Sequence, residues 1–187
     1  MKTIKKLLGL IIFAGAVFLL INWGQDSMYK MLYPLRYTEL VEKYADQNNL
    51  DPYLVYGVIK AESNFIHDAH SGVARGLMQI TDSTAEWIAG KMGLKDFEPA
   101  LLDDPAWNIQ MGCYYLRYLL DYYGDRELAL AAYNAGMGNV DRWLADEAHS
   151  ADGETLDNIP FGETREYVKR VEKYTKIYRE RYGGLVK

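Results

Sequence analysis

The 187-residue chain is 49% hydrophobic and 13% aromatic, with 16 tyrosines. That content supports a packed core, argues against disorder, and fits one compact domain with an appendage. The net charge is −5, and Lys2, Lys5 and Lys6 lie at the extreme N-terminus, so the remainder is more acidic still; such a balance argues against a nucleic-acid partner.

The N-terminus reads as a targeting segment. The three lysines precede residues 7–21, a run without a charge or strongly polar side chain. This is the pattern of a signal-anchor helix or a secretory signal peptide, here residues 1–24. No A-x-A type cleavage site follows, and Trp23 suits a membrane interface, which favours the anchor. The lysines then stay in the cytoplasm and the rest lies outside, as a single-pass membrane protein, or as a secreted one if the segment is cleaved. Residues 25–37 form a juxtamembrane linker. Cys113 is the only cysteine, so no intramolecular disulfide forms, and its aromatic-rich helical setting suits a buried thiol.

Residues 38–49 are predicted to be helical, with Leu40, Val41, Tyr44 and Ala45 on one side and Asn48-Asn49 as the stop. The next helix opens at Asp51 as N-cap, with Pro52 in the first helical position. Val55, Val58, Ile59 and Glu62 follow the i, i+3, i+4, i+7 spacing of one buried face, which places a carboxylate where the helix should be apolar. A buried carboxylate is normally paired, or its pKa rises until it holds a proton near neutrality. A proton-holding carboxyl at a cleft wall is what general acid catalysis requires. The alternative is a structural glutamate paired with Arg or Lys, and spacing alone does not choose between them.

Residues 67–79, with Gly72 and Gly76, read as a loop with at most a small β-ribbon. Thr81 caps a helix carrying Ala85, Ile88, Ala89 and Met92. Asp104-Pro105 opens another through Ile109, Cys113, Leu116, Leu119, Leu120 and Tyr123, stopped at Gly124. A short helix follows over about 126–134 and is broken by Gly136 and Gly138. Val140, Trp143 and Leu144 belong to one or two further turns, and residues 145–162 are a polar loop. The last helix, residues 164–181, turns Tyr167, Val168, Val171, Tyr174 and Tyr178 inward. No repeat, low-complexity tract or parallel-sheet pattern interrupts this mainly α domain, residues 38–182.

Four segments need a joint explanation: Glu62-Ser63-Asn64-Phe65; Gly76-Leu77-Met78-Gln79-Ile80; Ala132-Tyr133-Asn134-Ala135-Gly136; and residues 159–168, Ile-Pro-Phe-Gly-Glu-Thr-Arg-Glu-Tyr-Val. In this order and spacing they resemble the lytic transglycosylase domain of the soluble lytic transglycosylase type, a lysozyme-like fold of glycoside hydrolases. The resemblance covers about residues 38–180. It implies that Glu62 is the catalytic acid and base of glycan cleavage in peptidoglycan. Glu62 would protonate the oxygen between N-acetylmuramic acid and N-acetylglucosamine, then deprotonate the muramoyl C6 hydroxyl, which closes onto C1 as a 1,6-anhydro product. One group can fill both roles because it loses its proton in the first step and regains one in the second. Asp68 and Asp82 are the carboxylates near Glu62 in sequence, and neither stands in a motif that demands a nucleophile. In this family the substrate's own acetamido group takes that part.

The resemblance also implies a sugar groove lined by Ser71, Met78, Gln79, Tyr133, Asn134, Glu163 and Tyr167, with Tyr167 within reach of Glu62. Structural alternatives stand beside several of these: Ser71 as a turn residue next to Gly72, Gln79 as loop packing, Asn134 as a helix cap, and Glu163 as a carboxylate favoured at a helix N-terminus. Glu163 and Tyr167, four apart, share a helix face. Trp87, Trp107 and Trp143 can stack on sugars, with core packing as the default. His67, His70 and His149, without an HExxH pattern or cysteine cluster, indicate no metal, and no cofactor is implied. The expectation is a membrane-bound lytic transglycosylase acting on peptidoglycan strands. A hydrolytic muramidase of the same fold and an inactive peptidoglycan-binding module are the alternatives.

Overall fold

The computed structural model describes residues 2–184 and divides into two compact units, Met1–Arg36 and Tyr37–Lys187. The first unit is a 31-residue helix, α1 (Lys2–Leu32). It runs through most of the predicted linker instead of stopping near residue 24. That stretch contains no proline until Pro34, and an Asp26–Lys30 ion pair at 2.8 Å spans one helical turn within it. The side chains of residues 7–12 and 14 in the apolar run that predicts the anchor lie outside the described residues. Among those described, Phe18, Leu19, Leu20, Ile21 and Trp23 are exposed, and no helix is long and apolar enough to cross a membrane.

The second unit begins with α2 (Thr38–Gln47) and α3 (Pro52–Glu62). Three short strands follow: β1 (His70–Ser71), β2 (Ala74–Arg75) and β3 (Ile80–Thr81). After them come α4 (Asp82–Met92), a 3-10 turn (Pro99–Asp103), α5 (Pro105–Tyr123), α6 (Arg126–Ala135), α7 (Met137–Leu144) and α8 (Gly162–Tyr182). The unit is mainly helical with one small antiparallel ribbon, as the sequence predicts. The predicted caps explain the boundaries. Asp51 accepts from the Tyr53 amide at 3.0 Å, Thr81 from Thr84 at 3.1 Å, and Asp104 from Ala106 at 2.8 Å, each quenching an orphan donor of a first turn. Gly124 ends α5 in the left-handed conformation at φ 64°.

The ribbon is a meander in which His70 and Ser71 face Arg75 and Ala74, while Ala74 and Arg75 face Thr81 and Ile80. Its two-strand turn needs Gly72 at φ 66°.

The core centres on α3, α5 and α8. Helix α3 is more deeply enclosed than a one-face stripe predicts, since every residue from Tyr53 to Ile59 is buried. Such a helix belongs inside a domain, not on its surface. It packs against α8 at unusually close range through Gly57. A Cβ there would lie 2.4 Å from Thr175 Oγ1 and 2.9 Å from the Val171 carbonyl, so only glycine permits the approach. Tyr56 of α3 stacks on Tyr178 of α8 with ring centroids 5.1 Å apart. This contact sets the last residue of α3 beside the start of α8.

Candidate active site

Glu62 is the final residue of α3 and is partly exposed. The chain breaks sharply after it. Ser63 is buried, its hydroxyl donating to the Ile59 carbonyl at 3.2 Å, and Asn64 and Phe65 both take left-handed backbone angles, φ 51° and 64°. That geometry is uncommon for asparagine and an outlier for a bulky phenylalanine, the kind of strain that clusters at working sites. Phe65 is held there by burial against Tyr56 and Tyr178, at centroid distances of 6.1 and 6.2 Å. The Glu-Ser-Asn-Phe segment is therefore a helix stop. It leaves Glu62 at a helix C-terminus, where the macrodipole opposes negative charge.

Burial is the largest influence on Glu62 and lifts its pKa from 4.5 to about 7. The Tyr167 hydroxyl and the positive charge of Arg170 oppose the rise, whereas the negative charge of Glu163 adds to it. All three stand on α8. Tyr167 is buried, and its hydroxyl acts on Glu62 without closing a hydrogen bond of good geometry; among the described residues that oxygen has no other partner. A neutral donor is thus held ready for the ionised carboxylate. Its own pKa is driven well up, first by burial and then by the charge of Glu62.

Tyr133, near the end of α6, closes another side. Its hydroxyl donates to the Met78 carbonyl at 2.8 Å. Burial again raises its pKa, and the Glu62 charge is the next contributor. Tyr133 therefore stays a phenol and ties the ribbon to α6.

The loop carrying Met78 and Gln79 is fixed from α5. The buried Asn108 accepts from the Met78 amide at 2.7 Å and donates to the carbonyls of Arg75 and Leu102 at 2.9 and 3.0 Å. Gly76, at φ 75°, lies so close that a Cβ would come within 2.1 Å of the Asn108 amide. Gln79, also left-handed at φ 47°, accepts from Ser71 at 2.6 Å and donates to the Ala69 and Gly76 carbonyls at 2.9 and 2.8 Å. On α6, Asn134 accepts from the buried Thr164 hydroxyl at 2.7 Å. Asn134 lines a recess with Pro160, Phe161 and the exposed Glu163 at the head of α8.

Residues 39–155 match the family model described as the transglycosylase SLT domain, and residues 158–187 match the soluble lytic transglycosylase helical domain. The chain belongs to the transglycosylase SLT family. It is 36% identical over 155 residues to the soluble lytic murein transglycosylase of Salmonella typhimurium, covering 81% of this chain and 24% of that one. It is 30% identical over 167 residues to the membrane-bound lytic murein transglycosylase C of Yersinia enterocolitica, covering 77% and 47%. Among solved structures, an inactive glutamate-to-glutamine mutant of the lytic transglycosylase Slt from Pseudomonas aeruginosa superposes with a TM-score of 0.72 at 35% identity, covering 81% of this chain and 25% of that one. The chain thus spans about a quarter of the soluble relatives' length.

In this SLT domain the sequence-predicted residues besides Asn134 fall into three groups. Glu62 interacts electrostatically with Tyr133, Tyr167 and Glu163. Ser71 and Gln79 are joined by a hydrogen bond that makes Gln79 a brace of the loop, its amide already occupied on both ends. Met78 differs from expectation: its side chain is fully buried against Gly112 of α5. Its main chain is what meets a neighbour of Glu62, its carbonyl accepting from Tyr133, while its amide donates to Asn108.

Neither aspartate weighed as a second carboxylate approaches Glu62 in charge. Asp82 pairs with Arg75 at 2.9 Å, and the carboxylate whose charge reaches Glu62 is Glu163. Asn108 and Arg170 are absent from the sequence reading. Asn108 carries the same signal that singles out Glu62, a polar residue one turn from Gly112 on a buried stripe. Arg170 shares a helix face with Tyr167 but stands outside the four motifs.

Proposed function

We propose that this SLT domain is a lytic transglycosylase that cleaves the β-1,4 bond between N-acetylmuramic acid and N-acetylglucosamine and releases a 1,6-anhydro-muramoyl end. The observation that carries this reading is Glu62: one partly exposed carboxyl, poised near neutrality, with two neutral tyrosines around it and its neighbouring carboxylate, Glu163, out on the exposed head of α8. Support comes also from the inactive glutamate-to-glutamine mutant of the related Pseudomonas enzyme.

In the first step protonated Glu62 gives its proton to the bridging oxygen. The C1–O bond breaks, and its electron pair leaves with that oxygen. The muramoyl acetamido oxygen shields the positive C1 centre. Glu62 is now an anion, stabilised by Tyr167 and Arg170, the two groups that lower its pKa. In the second step it takes the proton from the C6 hydroxyl, and O6 bonds to C1 as the acetamido oxygen withdraws. The proton count on Glu62 is restored, as one group serving as acid and then base requires. Ser71, Asn134 and Glu163 present polar groups to the sugars, and Gln79 sets the position of Ser71.

We place the domain outside the cytoplasm at a membrane, with α1 as its tether. The membrane-bound name of the Yersinia relative and the exposed apolar side chains of α1 support that placement.

The test of the catalytic role is kinetic. Glu62→Gln, which holds neither proton state, should lower peptidoglycan cleavage by about 10²–10⁴-fold. In the unmodified protein kcat/KM should fall about tenfold per pH unit above about 7, as Glu62 loses the proton the first step needs. Retained cleavage in Glu62→Gln, or a rate flat through that range, contradicts the assignment.

A further inference from the structure

We propose that Arg170 of α8, flanked by Lys60 of α3, holds a carboxylate of the peptide stem on the muramoyl residue being cleaved. Strands whose stems are anionic are then the preferred substrate. This rests on the transglycosylase reading of Glu62.

Glu163, Tyr167, Arg170 and Tyr174 recur at spacings of four, three and four along α8, so they share one face of the helix. That face passes Glu62. Tyr167 turns its hydroxyl to the carboxyl. The charges of Glu163 and Arg170 act on it with opposite sign, the first raising its pKa and the second lowering it. Beyond Arg170, the Lys60 ammonium lies 6.0 Å from the centroid of the Tyr174 ring and donates to Asn64. The surroundings of Glu62 are therefore polarised along α8, with an exposed carboxylate at one end and two cations toward the other.

Arg170 is available for a ligand. It is exposed, and among the described residues it enters no ion pair or hydrogen bond. Other cations of the helix are engaged: Lys169 with Glu166 at 3.0 Å, Lys176 with Glu180 at 3.7 Å, and Arg179 with Asp51. Glu166 stands four residues before Arg170, a spacing at which helical ion pairs form, yet it pairs with Lys169. In a chain with 26 acidic against 21 basic residues, an unpaired guanidinium at the edge of the active site is the exception.

The substrate brings the matching charge. The muramoyl ring carries a lactyl ether on C3, in the same ring as the C1 at which Glu62 acts, and the stem is attached through that lactyl group. A ring seated for cleavage therefore starts its stem beside the residues around Glu62. The free carboxylates of the stem are ionised at neutral pH. The planar guanidinium fork takes a carboxylate through two parallel hydrogen bonds. Glu163 at the other end repels the same group, so the stem leaves over Arg170. An N-acetylglucosamine ring carries neither lactyl group nor charge, and the same two side chains tell the two sugars apart.

Initial rates of the full chain on soluble peptidoglycan strands test this at about pH 6, where Glu62 holds its proton. One preparation is intact. In the other the stem carboxyls are converted to primary amides with a carbodiimide and ammonia, which keeps the stem and removes its charge. kcat/KM should be roughly three- to tenfold higher on the intact strands, the scale of one charge-assisted contact at an exposed site. Arg170→Gln should bring that ratio near one, and Arg170→Lys, which keeps the charge without the fork, should keep part of it. A parent that cuts both preparations alike overturns the proposal. So does an Arg170→Gln protein with an unchanged ratio, since a role confined to the acidity of Glu62 moves both rates together. The catalytic reading fails on a different result: unmodified protein that cuts neither preparation.

Discussion

A carboxyl whose folded pKa lies near 7 weakens the fold whenever it is ionised. For Glu62 the folded value is raised above the ordinary 4.5. Its contribution to stability is therefore full below pH 4.5 and is lost as pH rises through about 7. Glu62→Gln carries no such charge. It should unfold at higher denaturant than the parent above pH 7, by about 2–3 kcal/mol on the scale of 1.36 kcal/mol per pKa unit. That gap should close below pH 4.5, where both side chains are neutral. Denaturant melts at the two extremes check this, and a gap that widens in acid would reverse the sign of the account. The sequence makes Glu62 visible because a charged residue continues the stripe of Val55, Val58 and Ile59. It does not make the size of the shift visible. That depends first on burial and then on Tyr167, Arg170 and Glu163, which reach Glu62 only once the chain has returned as α8. Met78 illustrates the same limit: a residue type and a motif position do not say which way a side chain turns.

Helix boundaries are legible where short-range chemistry decides them. Asp51, Thr81 and Asp104 cap at the predicted places, and Gly124 stops α5, because the partners lie within a few residues. The extension of α1 through residues 24–32 carries past Gly24 because no proline stops it and the Asp26–Lys30 ion pair supports it. What one helix requires of another is not legible from either alone. Gly57 reads as a weak point in a helix, yet it is the contact that lets α3 lie against α8. Gly57→Ala should cost about 1–3 kcal/mol by overpacking. Because α8 carries Tyr167, it should also depress cleavage beyond what lost stability explains. Melts and initial rates of the same preparation check both, and a neutral substitution would mean the helices can part without consequence. Asn108 works on the same scale. It pins the ribbon loop to α5 by hydrogen bonds that no local pattern announces.

At the scale of the molecule, family membership is carried by four short motifs spread over the second unit, and the fold explains why they are scattered. Each lies at an end or break of an element: the stop of α3, the loop before β3, the end of α6 and the head of α8. These ends converge around one carboxyl. The chain spans about a quarter of its soluble relatives, so the catalytic reading rests on this unit, with α1 as a separate proposed tether. The central claim is that Glu62 acts twice on one bond and that the muramoyl C6 hydroxyl, not water, closes the reaction. Mass analysis of muropeptides released from peptidoglycan by the full chain, run beside Glu62→Gln, addresses it most directly. The account predicts 1,6-anhydro-muramoyl ends from the unmodified protein and none from the variant. Reducing N-acetylmuramic acid ends, heavier by one water, would instead make the protein a hydrolytic muramidase and contradict the ring-closing step.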